Sequence, residues 1–485
     1  MTLALRSPAP RRTSARAAAA RALVVACCAV LVASPARSAA MGSGKAPGER
    51  AYRESAHGDP VRGVLRAPGE RRGSCMNCHG ARADERGSGR YGARRLAGGA
   101  LGNELCFRCH QRSTGSGSFQ GDVAYGSTAH AASPVMVWPG PPPRARADAG
   151  KCVNCHDPHG SKDREGPVPA MLRLRGETLC LGCHDGDPSK DVRTAFLRQY
   201  RHPLTADVPG GASPAAAGTA RVLPAAPGAT ARTCTGCHNP HVAQPADFSP
   251  GPGGSRPLSG VARVRVARGS PGPPVYTAVP PDDGSPAREH EVCYRCHSGY
   301  AQRPPRFADL AALLNPQNPS FHPVEDRGRS SGIDPRAFAN GWSADRLIAC
   351  HDCHSADGET ARGPHGSRYQ HILKRRYPVP VGGMQVVQEG DLCFECHAYA
   401  TYADATAGQA GTYSKFPGHV AHAVDGVTCY GCHDAHGSAT LPALLALRSP
   451  GLRSYTVDAS GAATCATTCH RKTPATTSYR STYAR

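Results

Sequence analysis

The chain has 485 residues, a formal balance of +20 at pH 7, 55 glycines, 44 prolines, 22 cysteines and only 6% aromatic residues. Such a composition excludes a conventional globular core: long stretches show neither helical nor strand periodicity and would read as disorder unless something else supplies buried apolar surface. The basic balance invites a nucleic-acid partner, and the cysteine count invites either disulfides or a bound metal group.

Residues 1–40 read as an export signal. Arg6, Arg11, Arg12, Arg16 and Arg21 form a basic start, Ala22 to Ala33 a short apolar run, and Ser34 to Ala40 a set of small residues that places cleavage after Ser38 or Ala40. The apolar run is about half of what a bilayer crossing needs. A lipoprotein reading of Val24 to Cys27 is opposed by the apolar residues that continue past Cys27 and Cys28. No later segment has the composition of a membrane span, so the expectation is an exported chain, periplasmic or extracellular, with no transmembrane segment once mature. Removing the signal's six arginines lowers the balance from +20 to +14.

Beyond the signal one pattern recurs. The first four strict C-x-x-C-H copies are Cys75, Cys78 and His79; Cys106, Cys109 and His110; Cys152, Cys155 and His156; and Cys180, Cys183 and His184. Five more are Cys234, Cys237 and His238; Cys293, Cys296 and His297; Cys350, Cys353 and His354; Cys393, Cys396 and His397; and Cys429, Cys432 and His433. A looser tenth copy is Cys465, Cys469 and His470. A zinc half-site, a thioredoxin-like pair or a disulfide does not require histidine next. Two thiols at this spacing can add to the two vinyl groups on one edge of a porphyrin, and the following imidazole then falls beneath the iron. The motifs predict ten covalently attached haem c groups, which consume all 20 motif cysteines. With two propionates per haem and one net positive charge on each iron only when ferric, the ten haems bring about −20 charges reduced or −10 oxidised, which removes the case for nucleic acid. The haems would also replace the missing core, so the expected fold is mostly coil with short α-helices and essentially no sheet.

Pairing the motifs in order divides the chain into five dihaem units, residues 55–115, 128–190, 200–300, 320–400 and 415–473, followed by a flexible tail at 474–485. Several units repeat an upstream histidine, a first motif followed by Asp-Pro-His-Gly or a variant, an aliphatic and basic stretch such as Leu172 to Arg175, and Leu-Cys opening the second motif. Ten of the 23 histidines are proximal, leaving 13 for distal positions. The distal candidates are His57, His130, His159, His202, His241, His322, His365, His419, His422 and His436, with one of His419 or His422 claimed by the repeat. His290, His351, His371 and the unused member of the His419 and His422 pair are surplus, and His351 sits between the cysteines of its own motif. Unit one has no histidine after its first motif, so one of the surplus residues is left to complete it. No methionine recurs in register as an alternative ligand.

This arrangement resembles the doubled C-x-x-C-H family of multihaem cytochromes c, over about residues 55–471. The resemblance implies an electron carrier whose partners are redox proteins, an outer-membrane porin or other cytochromes, with self-assembly into a filament among the outcomes it allows. Iron closed by two histidines has no place for substrate, which argues against an enzyme. The competing readings are a multihaem reductase of a small nitrogen or sulfur oxyanion with one open iron, placed in unit one, and an electron-storage scaffold. Asp157, Asn239 and Asp434, which follow their motifs directly, read as turn caps. Lys374, Arg375 and Arg376 read as a solvated or propionate-facing run. The Pro- and Gly-rich stretches from Pro209 to Thr233 and from Pro245 to Arg288 read as surface loops lengthening unit three.

Overall fold

In a computed structural model of the protein, the described residues are 52–65, 69, 71–79, 103–110, 125–132, 136–137, 146–147, 152–204, 233–244, 255–268, 274–281, 283–301, 308–330, 332–358, 360–379, 385–408, 411–460, 462–468 and 476–480. The chain divides into Met1–Ala46 and Pro47–Arg485. The export signal, with Cys27 and Cys28, lies outside the described residues, as do Cys469, His470 and most of the stretch from Pro209 to Thr233.

Coil dominates, and helices are short. Each of the eight motifs from Cys75 to Cys237 and from Cys350 to Cys432 closes one turn, in which the histidine N–H donates to the first cysteine's carbonyl, from 2.8 to 3.0 Å. The turn is 3-10 at Cys75–Asn77, Cys152–Asn154, Leu392–Glu395 and Cys429–Gly431, and α-helical at Glu104–Phe107, Glu177–Leu181, Cys234–Cys237 and Cys350–Cys353. The motif at Cys293 lies in the longest helix, Glu289–His297. One turn suffices because the i and i+3 cysteines and the next residue need share only one face. Among the described residues no helix is long and apolar enough to cross a membrane.

The expectation of essentially no sheet is corrected. Six small antiparallel sheets are present among the described residues. Most are two-residue pairings, which periodicity cannot reveal. Two are longer. Arg263–Ala267 pairs with Val275–Val279, so part of the stretch from Pro245 to Arg288 is a hairpin rather than a loop. Leu452–Val457, Ala462–Thr467 and Thr476–Arg480 form a three-stranded sheet, so residues 476–480 are a strand where a flexible tail was expected.

Buried apolar residues form several small clusters, the largest around Val264, Tyr294, Ala311, Leu314 and Val324. Between them runs one continuous cavity of about 4550 Å³, lined by every described motif histidine. A site for one small ligand is on the order of 300–1,000 Å³. This chain therefore wraps a space made for several large groups.

Candidate haem-binding site

The proximal rings are set by a recurring device. In units two, four and five the aliphatic stretch doubles back as an antiparallel bridge, His156 opposite Leu172, His354 opposite Leu373 and His433 opposite Leu445. Just before each of these leucines lie two left-handed residues, Ala170 and Met171, His371 and Ile372, Ala443 and Leu444, with φ from 53° to 61°. Left-handed backbone costs a non-glycine residue about 1–2 kcal/mol. Here it turns a carbonyl towards the imidazole: His156 Nδ1–H donates to Ala170 O at 3.0 Å, His354 to His371 O at 2.8 Å and His433 to Ala443 O at 2.9 Å. His238 donates to Pro257 O at 3.1 Å in the same way. Donation from Nδ1 leaves the lone pair on Nε2, the atom a metal needs.

Nine histidine pairs then face one another. In unit one His79 faces His159 and His110 faces His57; in unit two His156 faces His241 and His184 faces His130. Unit three holds His238 against His365 and His297 against His202, and unit four holds His354 against His436 and His397 against His322. In unit five His433 faces His419. Centroid separations run from 5.9 to 6.4 Å. Two imidazoles on opposite sides of one metal, each bonded at about 2.0 Å through Nε2, would hold their centroids about 6.3 Å apart. The donor set, the spacing and the cavity all fit iron in a porphyrin. Burial, reinforced by neighbouring imidazoles, holds His184, His241, His354, His365 and His397 down to about 4 and His419 down to about 3, so all are neutral at pH 7.

The partners cross between units in a regular way. The upstream histidine of units one to four, His57, His130, His202 or His322, faces the second proximal ring of its own unit. The histidine after the first motif, His159, His241, His365 or His436, reaches back and faces the first proximal ring of the preceding unit. The residue before that hook supplies the buttress: His57 Nδ1–H donates to Pro158 O at 3.2 Å, His130 to Pro240 O at 3.2 Å, His202 to Pro364 O at 2.6 Å, and His322 to Ala435 O. The residue after it completes a two-residue ladder, Tyr200–Arg201 on Gly366–Ser367 and Ser320–Phe321 on Gly437–Ser438. Only glycine fits there. A Cβ on Gly366 would lie 1.9 Å from Ala195 O, and one on Gly437 would lie 2.0 Å from Leu313 O.

Asp157, Asn239 and Asp434 start the hooks, each Oδ1 accepting the N–H of the hook histidine at 2.9 to 3.1 Å. Unit four replaces this turn with an insertion closed by Gly363 N–H donating to Ser355 Oγ at 3.0 Å. Unit one needs no histidine after its first motif, because its hook belongs to unit two. The surplus histidines do not complete it. His351 Nδ1–H donates to Glu289 Oε2 at 2.7 Å, His371 contributes its carbonyl, and His290 packs on Tyr294 at 5.4 Å. The run Lys374 to Arg376 faces carboxylates, with Lys374 Nζ 2.9 Å from Glu395, Arg375 beside the same group and Arg376 Nε 2.6 Å from Asp391.

Cysteines of successive units also meet. Cys106 hydrogen-bonds Cys152, Cys180 bonds Cys234, Cys293 bonds Cys350 and Cys393 bonds Cys429. Within units, Cys155 lies within electrostatic reach of Cys180 and Cys183, Cys237 of Cys296, and Cys353 of Cys396. Motifs two to nine are thus neighbours in sequence order. Glu289, Cys293 and Cys350 place ligand atoms within 4.8 Å of one another, but both thiols belong to C-x-x-C-H motifs and are taken up in attachment. No described cysteine forms a disulfide. Cys465 differs from the rest, standing in the central strand of the C-terminal sheet opposite Tyr455.

Residues 145–188 match the family model described as doubled CXXCH motif. No curated protein and no solved structure matches the chain. The C-x-x-C-H motifs imply covalently bound haem c. The matched stretch is the second of the repeating units; with that module and its recurrent geometry, the chain is similar to the doubled-CXXCH family of multihaem cytochromes c.

Proposed function

We propose that the protein is an exported decahaem c-type cytochrome that carries electrons by hopping from haem to haem, between donors at the inner membrane or periplasm and an acceptor outside. When bound, the haems supply irons that cycle between ferric and ferrous states. The chain supplies their order and their closure. The observation that carries the reading is the set of nine facing histidine pairs at 5.9–6.4 Å, which offers each described proximal site a second ligand. A reductase needs one iron left open to substrate, and the site proposed for it in unit one faces His159. The thiol hydrogen bonds between successive units, with the proximity of the two motifs inside units two to four, support transfer along the sequence order. Redox proteins are the partners of this reading, with an outer-membrane porin or a further cytochrome at the outer end.

Electron paramagnetic resonance on the oxidised, haem-loaded protein tests it. Wholly low-spin ferric signals are expected. About one high-spin haem in ten, shifted by nitrite or cyanide, would instead indicate an open catalytic iron.

A further inference from the structure

The proximal ring of the Cys393 motif is set differently from those of the motifs before and after it. His397 also stands in an antiparallel bridge, but opposite Phe338, which lies upstream of it in the chain. The backbone ladder is the usual one. Ala398 N–H donates to Ala337 O at 2.9 Å and Ala339 N–H to Cys396 O at 2.8 Å, as Asp157 N–H does to Met171 O and Arg173 N–H to Cys155 O. The left-handed pair, however, is replaced by the 3-10 turn Pro335–Ala337, whose residues keep negative φ. The carbonyl two residues before Phe338, Arg336 O, is therefore turned elsewhere and accepts Thr401 Oγ1–H at 3.4 Å. At the equivalent position Ala170 O, His371 O and Ala443 O each accept Nδ1–H from a proximal imidazole. Among the described residues the His397 ring meets aromatic rings instead, Phe338 stacked at 5.8 Å and 23° and Tyr402 edge-on at 5.6 Å and 88°.

Donation from Nδ1–H to a carbonyl makes an imidazole a stronger electron donor and so favours ferric iron; an imidazole without it favours the ferrous state. We infer, resting on the haem reading above, that the chain sets the haem at Cys393 and Cys396 at a higher potential than those at Cys350 and Cys429, so that an electron passing along the sequence order dwells there. The distal rings do not make this difference, because each has a neighbour for Nδ1: Ala435 O for His322, Asp434 Oδ1 at 3.5 Å for His436 and Phe416 O at 3.1 Å for His419. Nor do charges of one sign, since those within reach of Cys396 are Lys374 and Arg346 against Asp352 and Glu395. One carbonyl, aimed at the ring in the sites before and after and away from it here, is the remaining distinction.

A redox titration of the haem-loaded protein, followed by absorbance, tests the ranking. Methionine in place of a distal histidine raises the potential of its haem, so each exchange removes one component from the unaltered curve and identifies it. His322→Met marks the Cys393 site, His436→Met the Cys350 site and His419→Met the Cys429 site. The component removed by His322→Met should lie above the other two. Phe338→Gln, which offers an amide oxygen to the ring, should lower that component by about tenfold in the equilibrium constant, about 59 mV for one electron, while Phe338→Leu leaves it in place. Should Phe338→Gln lose the haem by intact mass, the ranking from the three exchanges decides alone. A His322 component below either of the others, or one unmoved in a fully loaded Phe338→Gln, would overturn the inference and leave the cytochrome reading intact. Three exchanges that move no component would overturn the facing pairs, and the reading with them.

Discussion

Replacing Gly366 with alanine tests whether the hooks hold their histidines by backbone contact. The added Cβ would lie 1.9 Å from Ala195 O and 3.2 Å from Arg201 Cβ. Restoring ordinary contact requires the strand Gly366–Ser367 to retreat by about 1.5 Å. The clash is with backbone, so no side chain can swing aside. His365 precedes this glycine directly and faces His238 at 6.1 Å. A metal–imidazole bond of about 2.0 Å does not survive a displacement of that size. The expected outcome is one high-spin ferric haem, at the Cys234 motif, with stability lowered by about 1–3 kcal/mol as for an overpacked core. His202, whose Nδ1–H donates to Pro364 O at 2.6 Å, loses its buttress in the same movement, so the haem at Cys293 should shift in potential. Paramagnetic resonance and chemical denaturation read both effects, with Gly408→Ala as the control because nothing lies within 4 Å of its added Cβ. A Gly366→Ala protein that stays wholly low-spin at wild-type stability would refute the reasoning.

His436→Ala should open an iron in unit four rather than in its own unit, because His436 faces His354. Adding Cys350→Ala and Cys353→Ala should then erase the high-spin signal, whereas adding Cys429→Ala and Cys432→Ala should leave it; the reverse pattern would break the lacing scheme. Arg263 is wholly buried between Asp283 and Glu291, and Arg263→Met should destabilise the unit-three hairpin by about 3 kcal/mol, the cost of stranding buried charge, without changing the spin state of any haem. A denaturation midpoint equal to wild type would contradict it. Burial, then Arg288 and Arg268, holds His290 down to about 3. The unfolded chain takes up that proton near pH 6.5, so the contribution of His290 is complete above 6.5 and declines as pH falls towards 3, by at most about 1.4 kcal/mol per unit. His290→Gln should flatten the melting profile between pH 6.5 and 4, and an unaltered slope would count against the assignment.

Much of the site is legible in the sequence because attachment chemistry is local. Cys-x-x-Cys-His fits inside one turn, and the histidine positions repeat while their surroundings vary. The pairing of His79 with His159 or His238 with His365 is not legible, since the chain offers no local signal for a bond made to the next unit. The apparent gap after His79 was therefore a feature of the lacing, not a vacant ligand. Two-residue ladders such as Tyr200–Arg201 on Gly366–Ser367 are too short for any period to register. The hairpin Arg263–Ala267 with Val275–Val279 did carry a signal, the alternation Arg263, Val264, Arg265, Val266, which the surrounding Pro and Gly obscured. Cys465 stands in a strand because Ala462–Thr467 is paired on one side with Leu452–Val457 and on the other with Thr476–Arg480, long-range pairings that the motif does not signal.

The backward reach of each hook also fixes an order of completion. A chain that emerges from its N-terminus presents the upstream histidine of a unit's second iron before that iron's own cysteines, but presents the partner of its first iron only when the next unit has appeared. Closure of each first iron then waits on the following unit, and a chain that stops between units leaves that one site unclosed. The unit that begins at His419 departs from that dependence, because its first ring, His433, faces a histidine of its own upstream helix.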